Sequence, residues 1–302
     1  MTIGFKTGPR NWEGGKIIVE EEGARMCEIW FRVDKKDDYR EMMDWLKKHE
    51  VQAGLHYWGL AQGDIKPNLM TKDKQVRQET IEQMRQTIEI GAAINGAYVN
   101  VHPGARALEK MDFAKGEQVL IENSFTEEAE AERLLLEALG ELNSYAKENG
   151  VLLTVETLPG RESRHIEKRQ GIYDPGNPPL ELMRRVAEAG FWLANDLTHS
   201  ASSLGLKIGE RENLFEELLK FTKDIADQTK LVHVNTVAPP LDNGTDSHDG
   251  ILADDFAKNV FPDKAQLKQL LQVFRNREDV FLVPEPKSKM GENYLALREV
   301  AT

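Results

Sequence analysis

Eight short apolar runs recur along the chain, separated by longer stretches whose apolar residues repeat every three to four positions. Runs of that kind read as strands, and the longer period reads as amphipathic helix. The alternation predicts strands near 2–8, 25–33, 51–59, 97–104, 151–157, 191–196, 231–235 and 280–286. Helices are expected around 16–23, 38–49, 74–94, 127–149, 180–190, 213–228 and 265–279, with Asn149-Gly150 as a stop signal. The stretch after the fourth strand, 105–126, reads as a long loop, and so does 158–179. A strand and a helix in strict alternation make an α/β protein, and eight such units match a (β/α)8 TIM barrel better than an open doubly wound sheet. One barrel takes roughly 250 residues. The 302 residues, 40% of them hydrophobic, therefore fit a single domain spanning 1–302.

Several function classes lose support at once. The first strand and its turn, T-I-G-F-K-T-G-P, do not give the G-x-G-x-x-G of a dinucleotide-binding fold. No G-x-S-x-G elbow supports serine hydrolase chemistry. No segment approaches the roughly 20 apolar residues that span a bilayer, and the opening residues do not read as a leader peptide. The lone cysteine, Cys27, reads as a buried, inert thiol and suits a cytoplasmic protein. The net charge of −12 gives no global attraction for nucleic acid or anionic membranes. Much of that acidity lies on amphipathic helices, as in TEEAEAERLLLEALGELNSYAKENG, where it reads as a solvated surface.

The chemistry gathers at the ends of the strands. In L-V-H-V-N, Leu231, Val232 and Val234 flank His233, and the loop that follows carries Asp246-Ser247-His248. His56, His102, Glu156, Asp196 and Glu285 close other strands, and His199 follows Asp196 by three positions. C-terminal strand ends of a barrel converge on one mouth. Five of the seven histidines fall there, leaving His49 and His165 as surface residues. Imidazoles and carboxylates packed so closely repel or lose solvation unless cations pair them. Such donors suit zinc, manganese or iron. One ion with open positions needs three or four protein ligands, so nine groups point to two or three ions sharing carboxylates.

These residues, in this order, resemble the xylose-isomerase-like TIM barrels, a superfamily of sugar isomerases and epimerases together with endonuclease IV. The resemblance is closest to the endonuclease IV branch. It rests on a strand-end His56, the H-P-G of His102 to Gly104, Glu156, the D-x-x-H of Asp196 and His199, His233, the D-x-H of Asp246 and His248, and Glu285. The resemblance implies that His56 and His102 hold one zinc, with Glu156 bridging to a second. Asp196, His233 and Glu285 would complete the second site, and His199, Asp246 and His248 the third. It also implies metal-dependent phosphodiester hydrolysis, with Glu156 and Glu285 orienting or deprotonating the attacking water. The chain departs from the branch after Asp196 and His199, where it continues Ser200 to Lys207, at Thr236 to Ala238 after Asn235, and at Thr157 after Glu156. These positions read as flanking loops that select the substrate.

Substrate-facing candidates follow from position. Arg161, Arg164 and His165, with Lys168 and Arg169, form a basic stretch that could grip a phosphate. Trp58 and Tyr57 could stack on a base or sugar, or pack at the rim, and Lys287 and Lys289 follow the last strand. The expected partner is a phosphorylated substrate, with damaged DNA as one candidate. The alternative is a sugar or sugar-acid isomerase or epimerase holding one ion through Glu156, Asp196, His233 and Glu285, with Glu156 and Glu285 as its acid/base pair. Its substrate would be a small sugar, and it leaves His56, His102, Asp246 and His248 without a duty.

Overall fold

Nine hydrogen-bonded segments form one parallel sheet in the computed structural model, which describes residues 1–160, 175–208, 211–242, 244 and 246–301. Two of the nine are halves of one strand, β1. Its first half, Thr2–Ile3, pairs with the last strand, and its second half, Phe5–Thr7, pairs with the next one. That split closes the sheet into a barrel of eight strands. After β1 come β2 (Met26–Arg32), β3 (Gln52–Trp58), β4 (Tyr98–Val101) and β5 (Leu152–Glu156). Then follow β6 (Trp192–Asp196), β7 (Thr229–Val234) and β8 (Phe281–Pro284). The expected TIM barrel is the observed fold.

Helices cover the outside: α1 (Trp12–Glu20), α2 (Arg40–Lys48), α3 (Lys74–Ala93), α4 (Glu128–Glu148) and α5 (Leu180–Glu188). They continue with α6 (Leu197–Ile208), α7 (Arg211–Asp224), a single turn at Ala253–Phe256, α8 (Lys264–Gln272) and α9 (Met290–Val300). α3 shows why the pattern is readable. Asp73 caps it by accepting from the backbone of Gln75 and Val76, and Val76, Thr80, Ile81, Met84, Thr87 and Ile88 form its buried stripe. α4 ends at Asn149, and Gly150 takes φ of 69°, as the stop signal requires.

Three elements differ from expectation. The expected loop at 105–126 contains an antiparallel hairpin, Glu109–Asp112 with Glu117–Leu120. α9 has no counterpart among the expected helices. α6 starts directly after Asp196, where a substrate-selecting loop was expected. Its run of serines and threonines reads as loop because such hydroxyls compete for backbone groups. Here they bond to neighbouring elements: Thr198 Oγ1 donates to the Thr236 carbonyl, Ser200 Oγ to Asn195 Oδ1 and Ser203 Oγ to the Leu158 carbonyl. These departures from the branch brace the barrel.

Alternation along the strands sorts the side chains. Cys27, Ile29, Phe31, Leu55 and Val99 join a buried cluster with Met84, Ile88, Leu139 and Leu142 of the helices. Truncating one such aliphatic side chain to alanine costs about 2–5 kcal/mol. Burial first, and Glu28 second, push the Cys27 thiol far up, so it stays protonated. The inward residues stack in layers. Met26, Tyr98, Ala194, Leu231 and Val283 plug the floor. Gly54 belongs there because a Cβ would lie 2.3 Å from the Tyr98 ring. The next layer up is polar.

Candidate metal centre

Strand register lines up the polar layer. Lys6 pairs with Glu28, His56 with Asn100, Asn100 with Thr154, and Asp196 with His233. The remaining groups come from just beyond the strands. His102 follows β4, and Gly104 turns the chain at φ of 94°, where a Cβ would meet Asn68 Oδ1 at 2.4 Å. His199 lies in the first turn of α6, its backbone N–H donating to Asp196 Oδ1. Asp246 and His248 come from the loop after β7, pinned by an antiparallel bridge between Thr236 and Asp249 and by Ser247, which donates to Asp249. His248 itself sits at φ of 44°, in the left-handed region that few residues other than glycine occupy.

All nine expected ligands meet at one mouth. On one flank His56 Nε2 lies 3.4 Å from Glu156 Oε2, and His102 Nε2 lies 3.5 Å from Glu156 Oε1. At the centre His233 Nδ1 lies 2.9 Å from Glu285 Oε2, 3.4 Å from Glu156 Oε1 and 3.6 Å from Asp196 Oδ2. On the other flank His199 Nε2 is 3.5 Å from Asp246 Oδ2, and His248 Nε2 is 2.7 Å from Asp246 Oδ1. Potential ligand atoms come within 4.8 Å of one another in the sets His56–His102–Glu156, Glu156–Asp196–His233–Glu285 and Asp196–His199–His248. Asp196 thus reaches the third set as well as the second, and Glu156 bridges the first two.

The donor set fits metal ions. Among the described residues, six buried side-chain polar atoms lack a hydrogen-bond partner, and four of them are here: Glu156 Oε1, His233 Nδ1, Asp246 Oδ1 and Glu285 Oε2. Buried polar groups are rarely left unsatisfied without reason; Glu156, His233 and Glu285 belong to the central set, and Asp246 Oδ1 lies on the other flank, 2.7 Å from His248 Nε2. Electrostatics show the same strain. Burial works against the charged form of His199 and His248, yet Asp196 and Asp246 prevail, raising His199 well above its ordinary range and His248 to about 9. Burial also opposes ionisation of Glu156, but His233, His56 and His102 hold it well below the usual carboxylate range. Asn100 Nδ2 donates to Glu156 Oε2 and is itself held by Thr154.

Two charged residues of this layer are not among the candidates singled out from the sequence. Lys6, 1% exposed, places its ammonium against Glu28, 2.9 Å from Glu285 Oε1 and 2.7 Å from His56 Nδ1. Burial would lower its pKa, but Glu28, Glu285 and Glu156 keep it raised. Glu28 is fully buried beside it. Glu28 lies in the middle of its strand, and Lys6 one residue before the end of its own. The available signal was a charge interrupting an otherwise apolar parallel strand, as Glu28 does in M-C-E-I-W-F.

The candidate substrate residues fare unevenly. Trp58 lies at the rim beneath the Arg32 guanidinium, 4.4 Å from its ring, and lines a cavity of about 670 Å³ with Lys6, Trp30, Arg32 and Tyr39. Trp30 stacks on His56 at 4.2 Å. Tyr57 faces the other way and donates to Gln83 Oε1 of α3, because adjacent strand residues point to opposite faces. It packs between β3 and α3, at the wall of a small cavity that Trp58 and His102 also line. Thr157, expected to flank the substrate, is buried; it accepts from the Asp196 N–H, and His199 Nδ1 lies 2.6 Å from its carbonyl. Lys287 and Lys289 are exposed beyond β8, and the Lys287 N–H donates to the His248 carbonyl. Arg161, Arg164, His165, Lys168 and Arg169 lie outside the described residues.

Comparison with known proteins is consistent with the architecture. The model of the xylose isomerase-like TIM barrel family matches residues 18–270. No curated protein matches the chain in sequence. A D-tagatose 3-epimerase-like protein is 14% identical with a TM-score of 0.67, over 99% of this chain and 97% of that one. Endonuclease IV from Thermus thermophilus is 15% identical with a TM-score of 0.59, over 99% and 98%. 3-keto-D-glucoside 4-epimerase from E. coli is 15% identical with a TM-score of 0.62, over 99% and 98%. Identities this low establish a shared fold and nothing about substrate. Among the described residues no helix is long and apolar enough to cross a membrane.

Proposed function

The chain belongs to the xylose isomerase-like TIM barrel family, and from that premise we propose that it is a metal-dependent phosphodiester hydrolase of the endonuclease IV type. One observation carries the reading. The four central groups are joined on one flank by His56 and His102 and on the other by His199, Asp246 and His248, so that the mouth offers donors for an ion on each side of the central one. A single-ion enzyme has no use for the flanks.

Zinc, or manganese or iron with the same donors, would acidify water and neutralise the charge that develops on phosphoryl oxygens. The residues of the chain do the rest. Glu156 and Glu285, ionised and sharing the central set, accept hydrogen bonds from a water and aim it at phosphorus. Trp58 and Trp30 wall a cavity next to His56, on which Trp30 stacks, and would receive the part of the substrate away from the reacting bond. Arg161, Arg164, His165 and Lys287 are the cationic candidates for a neighbouring phosphate. The substrate is a phosphorylated one, with abasic DNA the first to try.

The test is elemental analysis of protein purified without added metal, followed by a nicking assay on duplex DNA carrying an abasic site. Two or more ions per chain with cleavage are expected; one ion, or no cleavage of phosphodiesters by the fully loaded protein, refutes the hydrolase. A second reading has its own support. Glu156, Asp196, His233 and Glu285 already form a complete set for one ion, and most of the similar structures are named as sugar epimerases or as like one. Under it Glu156 and Glu285 would exchange a proton with a carbon beside a carbonyl, and ketose epimerisation with a single exchangeable ion is the result it expects.

A further inference from the structure

Glu28 has no place in the ligand sets used above, yet four side chains converge on its carboxylate. Tyr98 Oη donates to its Oε2 at 2.8 Å, and Lys6 Nζ donates to its Oε1. His233 Nε2 lies 3.0 Å from Oε1 and 3.1 Å from Oε2, and His56 Nδ1 lies 3.4 Å from Oε1. Both carboxylate oxygens thus face His233 Nε2, and Nδ1 is the edge turned toward Glu156, Asp196 and Glu285.

We propose that Glu28 is the positioning residue of the central ion site: it fixes the ring of His233 so that Nδ1 faces the space between Glu156, Asp196 and Glu285. The inference deepens the hydrolase reading and rests on an ion occupying that space. Partners of this kind orient metal-binding imidazoles and raise their basicity. Glu28 could instead be a ligand itself, since it forms a set with His56, His233 and Glu285. Lys6 argues against that. Its ammonium already touches Glu28, Glu285 and His56 within this set, and a second cation there would meet it at close range. Tyr98 completes the support: its ring is packed against Gly54 in the floor, so its hydroxyl holds Glu28 from a rigid base.

The test uses the full chain, stripped with chelator and titrated with Zn(II) against a competing chelator and with Co(II) by absorption. In Glu28→Gln the central ion should bind about 10–100-fold more weakly, the range seen for such outer partners, while the other two sets keep their affinity. Glu28→Ala should weaken it further, because glutamine retains one acceptor for Nε2. Tyr98→Phe should act in the same direction but less, and it carries the test if the Glu28 variants fail to fold. The Co(II) spectrum of the central ion should change with its ring geometry. Unchanged central affinity in all three variants overturns the inference, as does an equal fall at all sets. Complete loss in both Glu28→Gln and Glu28→Ala overturns it too, marking a direct ligand. A wild-type chain that takes up no ion refutes the hydrolase reading together with this one; ions in the wild type with no effect of the variants refute this one alone.

Discussion

Lys6→Met removes a permanent cation from the polar layer and keeps most of the side-chain volume. In the metal-free protein Lys6 Nζ contacts Glu28, lies 2.9 Å from Glu285 and stands 4.2 Å from the centre of the Trp30 ring, with 1% exposure. At an effective dielectric near 20, one contact at that distance is worth about 6 kcal/mol before desolvation is subtracted. Most of this is offset by the loss of water around both charges. Breaking a buried pair by removing one partner nevertheless costs about 3–5 kcal/mol, because the other charge stays buried. Here two carboxylates are left. The expected loss in metal-free protein is therefore about 3–5 kcal/mol. Once ions are loaded, Glu285 has another positive partner and the same substitution should cost distinctly less. Urea unfolding followed by circular dichroism, with and without Zn(II), measures both values. A loss below about 1 kcal/mol without metal, smaller than the removal of one buried charge partner allows, or an equal loss in both states, would refute the reasoning.

Other consequences can be checked alongside it. Gly54→Ala forces a methyl to within 2.3 Å of the Tyr98 ring and should destabilise the chain by about 1–3 kcal/mol or more in the same unfolding assay. His248→Ala should remove one ion by elemental analysis, leave the His56–His102–Glu156 set occupied, and cut abasic-site cleavage by more than about 100-fold. Hydrogen bonds from Arg277 and Lys230 hold the Asp279 carboxyl below its usual range. A depressed folded pKa contributes stability above the unfolded value, which is lost as pH falls through the folded one. Because the side chain is half exposed, Asp279→Asn should cost only about 0.2–1 kcal/mol at pH 7, and the gap from wild type should close in acid.

The barrel was legible because each strand and each helix carries its own period, and α4 advertises its end through Asn149-Gly150. The nine strand-end ligands were legible for a related reason: imidazoles and carboxylates are conspicuous where an apolar run stops. Lys6 and Glu28 escaped because their neighbours are set by register between strands, which no local pattern states. Thr157 and the α6 serines were misplaced as substrate-facing loop, since a hydroxyl that bonds inward looks the same in sequence as one that faces water. Tyr57 packs against α3, the second of its two readings, because one step along a strand reverses the face relative to His56.

Closure through a divided first strand also constrains the order of events as the chain emerges during synthesis. Lys6 is made well before Glu285 and the β8 edge to which Thr2 and Ile3 bond. Until β8 follows, β1 has only half its neighbours, and the ammonium destined for the interior stays in solvent. The central set is thus completed late, and a nascent chain halted before β8 should bind no ion there with native affinity.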